Sequence, residues 1–156
     1  MKLHRLSLLI GALTGALTVG LVSMLGMGSS QVQAEDDLHL AVQKSQAMMV
    51  AYQLDNAGLH ELDQQLNSGQ FVPGALGKVR KARIAVQNTM WPTELQDSAN
   101  NLVGELLQLE TALRDEDVAA GAPHATQSHD LAHDVADGTY NWLSTGQAPA
   151  PTDHTH

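Results

Sequence analysis

Leu95, Ala99, Leu102, Leu106, Leu109 and Leu113 follow one another in alternating steps of four and three. Only an α-helix puts such residues on one line, because its 3.6-residue turn brings every third and fourth side chain to the same side. The spacing is the apolar seam of a helix packed against others, with Glu105 and Glu110 expected to ride outside it. The polar run Arg114-Asp115-Glu116-Asp117 then connects this helix to the next. A connection that short forces two neighbouring helices antiparallel. Ala, Leu and Gln are frequent and β-branched runs rare, which points to the same fold class. The expectation is an all-α, antiparallel four-helix bundle of up-down-up-down topology.

The last helix is expected over 124–143, with Val118 to Ala122 forming a separate turn because Gly121 and Pro123 interrupt the period. At about 100° per residue, Leu131, Ala132, Val135, Ala136, Thr139, Trp142 and Leu143 make one broad apolar face, extended by Ala125 and Ser128. His129 and His133 stack one turn apart along its flank, in line with Tyr140. Asp130, Asp134 and Asp137 lie further round, and the first two can stand beside a histidine ring. Histidines at i and i+4 are a common way for one helix to offer two nitrogen ligands to zinc, nickel or copper. A carboxylate then serves as third ligand or as orienter of a ring. The candidate metal site is therefore His129, His133, Asp130, Asp134 and Asp137, with Glu105 of the antiparallel neighbour as a further oxygen donor. A solvated histidine pair holding no ion is the competing reading. His124 points roughly 140° away from His129 and is read as a helix-start residue.

The chain opens with Lys2 and Arg5, continues through an uncharged apolar or small stretch from Leu6 to Met27, and reaches Val32-Gln33-Ala34. This is the pattern of a secretory signal cleaved after Ala34. The alternative is an uncleaved anchor, since about 20 uncharged residues can span a bilayer and Gly11 and Gly15 have helix-packing spacing. Residues 1–34 are thus assigned to export, 35–145 to the bundle, and 146–156 to a disordered tail ending in His154 and His156. Removal of Lys2 and Arg5 leaves six of the eight basic residues against all 17 acidic ones. Such a surface disfavours nucleic acid and anionic lipid and favours cations or basic partners. The chain has no cysteine, which excludes disulfides, thiolate metal sites and covalent haem attachment.

The first mature helix is expected to start at Asp36 or Asp37 and to bury Leu38, Ala41, Val42, Ser45, Met48, Met49 and Tyr52. Asn56-Ala57-Gly58 weakens it, Leu59, Leu62 and Leu66 resume the period, and Gly69 is placed for a left-handed cap. His60, beside Glu61, reads as a surface residue. A further helix from Ala75 to Thr89 turns Leu76, Val79, Ala82, Val86 and Met90 inward and exposes Lys78, Arg80, Lys81 and Arg83. These four cations read first as counter-charge to acidic neighbouring helices, and alternatively as a docking patch for an acidic protein. Trp91-Pro92 ends that helix.

An exported chain, a methionine in the first mature helix, a short turn between the last two helices and histidines in the last resemble the layout of small periplasmic four-helix cytochromes of the b and c-prime type. That resemblance implies a four-helix bundle and haem held between a first-helix methionine, here Met48 or Met49, and a last-helix histidine. The attachment motif of the c-prime type is absent, and His129 and His133 flank the apolar face instead of occupying it. Glycine-rich phosphate loops, nucleophile elbows and paired carboxylates with a partner base are also missing, so no enzyme is expected. The expected function is binding of a divalent transition metal, with a ligand-free partner-binding bundle and a haem protein as alternatives.

Overall fold

The computed structural model describes residues 28–146. They form five α-helices: α1 Gly28–Asp55, α2 Leu59–Asn67, α3 Ala75–Gln87, α4 Thr93–Arg114 and α5 Val118–Thr145. No strand occurs among the described residues, and the fold is all-α. The apolar stretch Leu6–Met27 and the tail after Gly146 lie outside them. α1 passes through Ala34, the expected cleavage point, without a break. No helix among the described residues is long and apolar enough to cross a membrane.

α4 and α5 form the centre. All six residues of the α4 seam are buried, with Leu102, Leu106 and Leu109 fully enclosed. On α5, Ala125, Ser128, Ala132, Val135, Ala136, Thr139 and Trp142 are buried, and Leu131 and Leu143 pack partly against them. Both faces lie where the sequence periods put them. α3 packs on α4, while α1 and α2 both pack on α5. Burial of each such leucine contributes about 1.5–3 kcal/mol, so α2, with Leu59, Leu62 and Leu66 enclosed, is held by packing despite its nine residues.

The ends are set by local chemistry. Asp117 caps α5, its carboxylate accepting the Ala120 N–H at 2.9 Å. α5 is one helix from Val118 onward, correcting the expected break at Gly121 and Pro123. Pro123 removes only the N–H that would bond Ala119, and Ala119 is exposed, so its carbonyl can turn to water. Gly69 takes the expected left-handed cap, with φ 78°. Gly58, at φ 73°, bends the chain between α1 and α2, so that α2 continues along α5 where α1 leaves off, Asp55 meeting Tyr140 and His60 meeting His129.

Two further expectations are corrected. α1 does not bury Leu38, Val42, Met48, Met49 and Tyr52, which are 40–66% exposed. It packs through Ala47, Val50, Ala51 and Leu54 instead. Both sets have helical spacing, and the small residues of the second allow close approach to α5. Glu110 does not ride outside: it is 2% exposed and paired with Arg83 at 2.5 Å and Arg80 at 3.3 Å. The basic face of α3 is thus in part counter-charge to α4, while Lys78 and Lys81 border a separate cleft beside Tyr52.

Candidate functional site

The fold brings three histidines from two helices together. His129 and His133 stand one turn apart on α5, with their Nε2 atoms 3.1 Å apart. His60, in the first turn of α2, places Nδ1 3.3 Å from the same Nε2 of His129. The ring centroids are 4.9 Å apart for His60 and His129 and 4.7 Å for His129 and His133. The rings border a cleft of about 210 Å³ floored by Leu54, Leu59 and Ala132, with Asp55 and Gly58 at its edge.

Neighbouring side chains position His60 and tie together the helices that carry the cluster. His60 is oriented by the Gln64 side-chain nitrogen, 2.8 Å from its Nε2. α2 is tied to α5 next to the cluster by Asp63, whose Oδ1 accepts from Thr126 at 2.5 Å and from Asn67 at 2.7 Å. Tyr140 donates to Asp55 at 2.8 Å, joining α5 to the end of α1. That hydrogen bond raises the tyrosine's pKa, because the proton it would lose is held by a carboxylate.

His129 lies in the middle. Its other nitrogen, Nδ1, is 3.5 Å from Asp130 Oδ1, which favours the tautomer with the proton on Nδ1 and a lone pair on Nε2. Burial, then His133 and then His60 lower its pKa, while Asp130 and Asp63 pull the other way. A Gln64 amide donating to His60 Nε2 favours the tautomer with the His60 proton on Nδ1, on the side of His129 Nε2. His133 Nε2 faces that same atom. Both neighbouring rings thus turn a nitrogen toward the one Nε2 of His129.

Of the residues singled out in the sequence, His129, His133 and Asp130 come together. Asp134 is half-buried on the next turn, and Asp137 is exposed and acts on Tyr140. Glu105 is engaged elsewhere: it accepts from His124 Nδ1 at 2.8 Å across the α4–α5 contact. His60 and Gln64 are the members that the sequence did not reveal. The 69-residue separation of His60 from His129 leaves no local signal. Met48 and Met49 are 53% and 54% exposed, not turned into an enclosed haem pocket. Among the described residues, no three histidine, aspartate or glutamate side chains are grouped so as to hold a metal ion; the three imidazoles stand in a row, not around a point. No protein-family model, curated protein or solved structure matches the chain.

Proposed function

We propose that this protein is an exported, antiparallel up-down-up-down helical bundle that binds a divalent transition metal, zinc, nickel or copper, through His60, His129 and His133. The topology is supported by the three-residue turn between α4 and α5 and by contacts across it from His124 to Glu105 and from Gly121 to Ala112. In this reading α1 and α2 together make the first arm. Export rests on Lys2, Arg5 and the uncharged Leu6–Met27 stretch ahead of Val32-Gln33-Ala34. No catalytic group is assigned.

The observation that carries metal binding is the spacing of the ring nitrogens. Nitrogen ligands at about 2.0–2.1 Å around a tetrahedral ion lie roughly 3.3 Å from one another, and the two separations from His129 Nε2 are 3.1 and 3.3 Å. Closing the row into a triangle requires His60 or His133 to turn about its side-chain torsions, at about 0.5–1.5 kcal/mol if a staggered position is left. Both rings are exposed, so the turn leaves the core packing alone. Asp130 orients His129 from behind, and Gln64 can accept from His60 Nε2 after an amide rotation, the outer-shell partners such a site needs. In this reading water completes the shell.

Calorimetric titration of the metal-free protein with zinc, nickel and copper tests this. Wild type is expected to bind one ion, and His60→Ala, His129→Ala and His133→Ala each to weaken it by at least about tenfold. Affinity is expected to fall as pH drops below about 6.5, because only neutral imidazole ligates. Equal affinities in wild type and His129→Ala would discard the site. Equal affinities in wild type and His60→Ala alone would reduce it to the α5 pair.

A further inference from the structure

We infer that the solvent face of α1 is the interface of a two-fold symmetric dimer, with the α1 helices of two copies packed antiparallel. Leu38, Val42, Ser45, Met49 and Tyr52 succeed one another in steps of four, three, four and three. That is the spacing of a helix-packing seam. The four large members are 66%, 40%, 54% and 66% exposed, on the side of α1 away from Ala47, Val50, Ala51 and Leu54. α4 carries the same pattern and buries every position of it. On α1 the seam is complete and lies outside the bundle. Nor does the bundle support the start of this helix: residues 32–42 are exposed on every side, Leu40 included. Isolated helical turns of this length are marginal in water, so a surface that packs along them stabilises them.

Charge selects a second copy as that surface. At one end of the seam stand Glu35, Asp36 and Asp37. At the other end Tyr52, Gln53, Asn56, Lys78 and Lys81 enclose a cleft of about 290 Å³. Two α1 helices laid antiparallel and crossing near Ser45 bring the acids of each to the lysines of the other, at both ends at once. Such self-complementarity is what a closed two-fold interface requires. Parallel pairing would oppose acids to acids and lysines to lysines, which costs free energy and excludes that register. Arg80 and Arg83, engaged by Glu110, have no part in the contact. The small Ser45 at the crossing allows close approach of the two backbones.

The test is sedimentation equilibrium of the purified full chain, with variants confined to the exposed face. Wild type is expected to run as a dimer. Met49→Glu with Tyr52→Glu is expected to weaken association by at least about 100-fold, while the helical circular dichroism of the bundle is retained. Reversing Lys78 and Lys81 to Glu is expected to weaken it too. Adding Glu35→Lys, Asp36→Lys and Asp37→Lys to that variant is expected to restore it. Since the chain has no cysteine, Ser45→Cys gives a direct geometric readout: it is expected to form an intermolecular disulfide on mild oxidation, and Gln108→Cys on α4 is not. A monomeric wild type, or a dimer indifferent to the Met49 and Tyr52 variants, overturns the inference. So does a Ser45→Cys variant that stays uncrosslinked while wild type is captured by lipid vesicles, an outcome that would assign the face to a membrane surface.

Discussion

Replacing Arg83 by Met is expected to be the most damaging single removal of a charge in this fold. The Glu110 carboxylate is 2% exposed and accepts from Arg83 Nε at 2.5 Å and from Arg80 Nε at 3.3 Å, the two arginine side chains being 18% and 48% exposed. Two unit charges about 4 Å apart at an effective dielectric constant near 20 attract by about 4 kcal/mol, and stranding one member of a buried pair costs about 3–5 kcal/mol. Arg83→Met keeps the aliphatic stem and so isolates the electrostatic effect. We expect a loss of about 3 kcal/mol, or more than about 10 °C in Tm for a domain of this size. Arg80→Met, exposed and screened, is expected to cost less than about 1 kcal/mol. Glu110→Met removes the buried charge itself and is expected to cost little, because a buried pair seldom outperforms an apolar replacement. The double variant Arg83→Met, Glu110→Met is then expected to be more stable than Arg83→Met alone. Urea unfolding followed by circular dichroism at neutral pH measures all four. An Arg83→Met loss below about 0.5 kcal/mol, or a double variant no better than the single one, would refute the reasoning that Arg83 neutralises a desolvated carboxylate.

Three other outcomes are expected. Because the His129 pKa lies below the ordinary 6.5 in the folded state, the unfolded chain binds more protons beneath that pH. The contribution of neutral His129 to stability is therefore present above 6.5 and lost as pH falls through the folded value. Metal-free wild type should lose more stability than His129→Gln between neutral and mildly acidic urea titrations, and parallel losses would contradict this. Ser128 Oγ is buried with no hydrogen-bond partner, so Ser128→Ala is expected to be neutral or to raise Tm, by up to about 1–2 kcal/mol in stability. A Cβ at Gly121 would meet Ala112 Cβ and Leu66 Cδ1 at 3.5 Å, an ordinary contact. Thermal melts should then show Gly121→Ala stabilised by about 0.5–1 kcal/mol through helix propensity and Gly121→Leu destabilised by about 1–3 kcal/mol through overpacking.

The residues whose fate was legible in the chain are those with a single possible side. Leu95 to Leu113 on α4 and Ala125 to Trp142 on α5 each have one apolar stripe, and once a helix forms that stripe can only turn inward. The capping position Gly69 was legible for a similarly local reason: it answers unsatisfied backbone groups within one turn of itself. α1 is different because it carries two stripes. Its periodicity establishes a helix yet leaves open which stripe meets α5, and the larger side chains are on the outer one. The misreading of Glu110 has the same origin, since the preference of a carboxylate for water is reversed only when two arginines from another helix arrive beside it.

The presence of the helices and the inward faces of α4 and α5 follow from interactions between residues a few places apart, which is the range over which sequence spacing speaks. The pairing of His129 with His133 belongs to this class. Its extension to His60, the enclosure of Glu110 by Arg80 and Arg83, and the outward turn of the Leu38–Tyr52 seam were decided by packing between helices distant along the chain. No local pattern encodes such contacts. They arise because each helix must cover its neighbour's apolar face, and the polar residues that meet across the contact are set by how those faces dock.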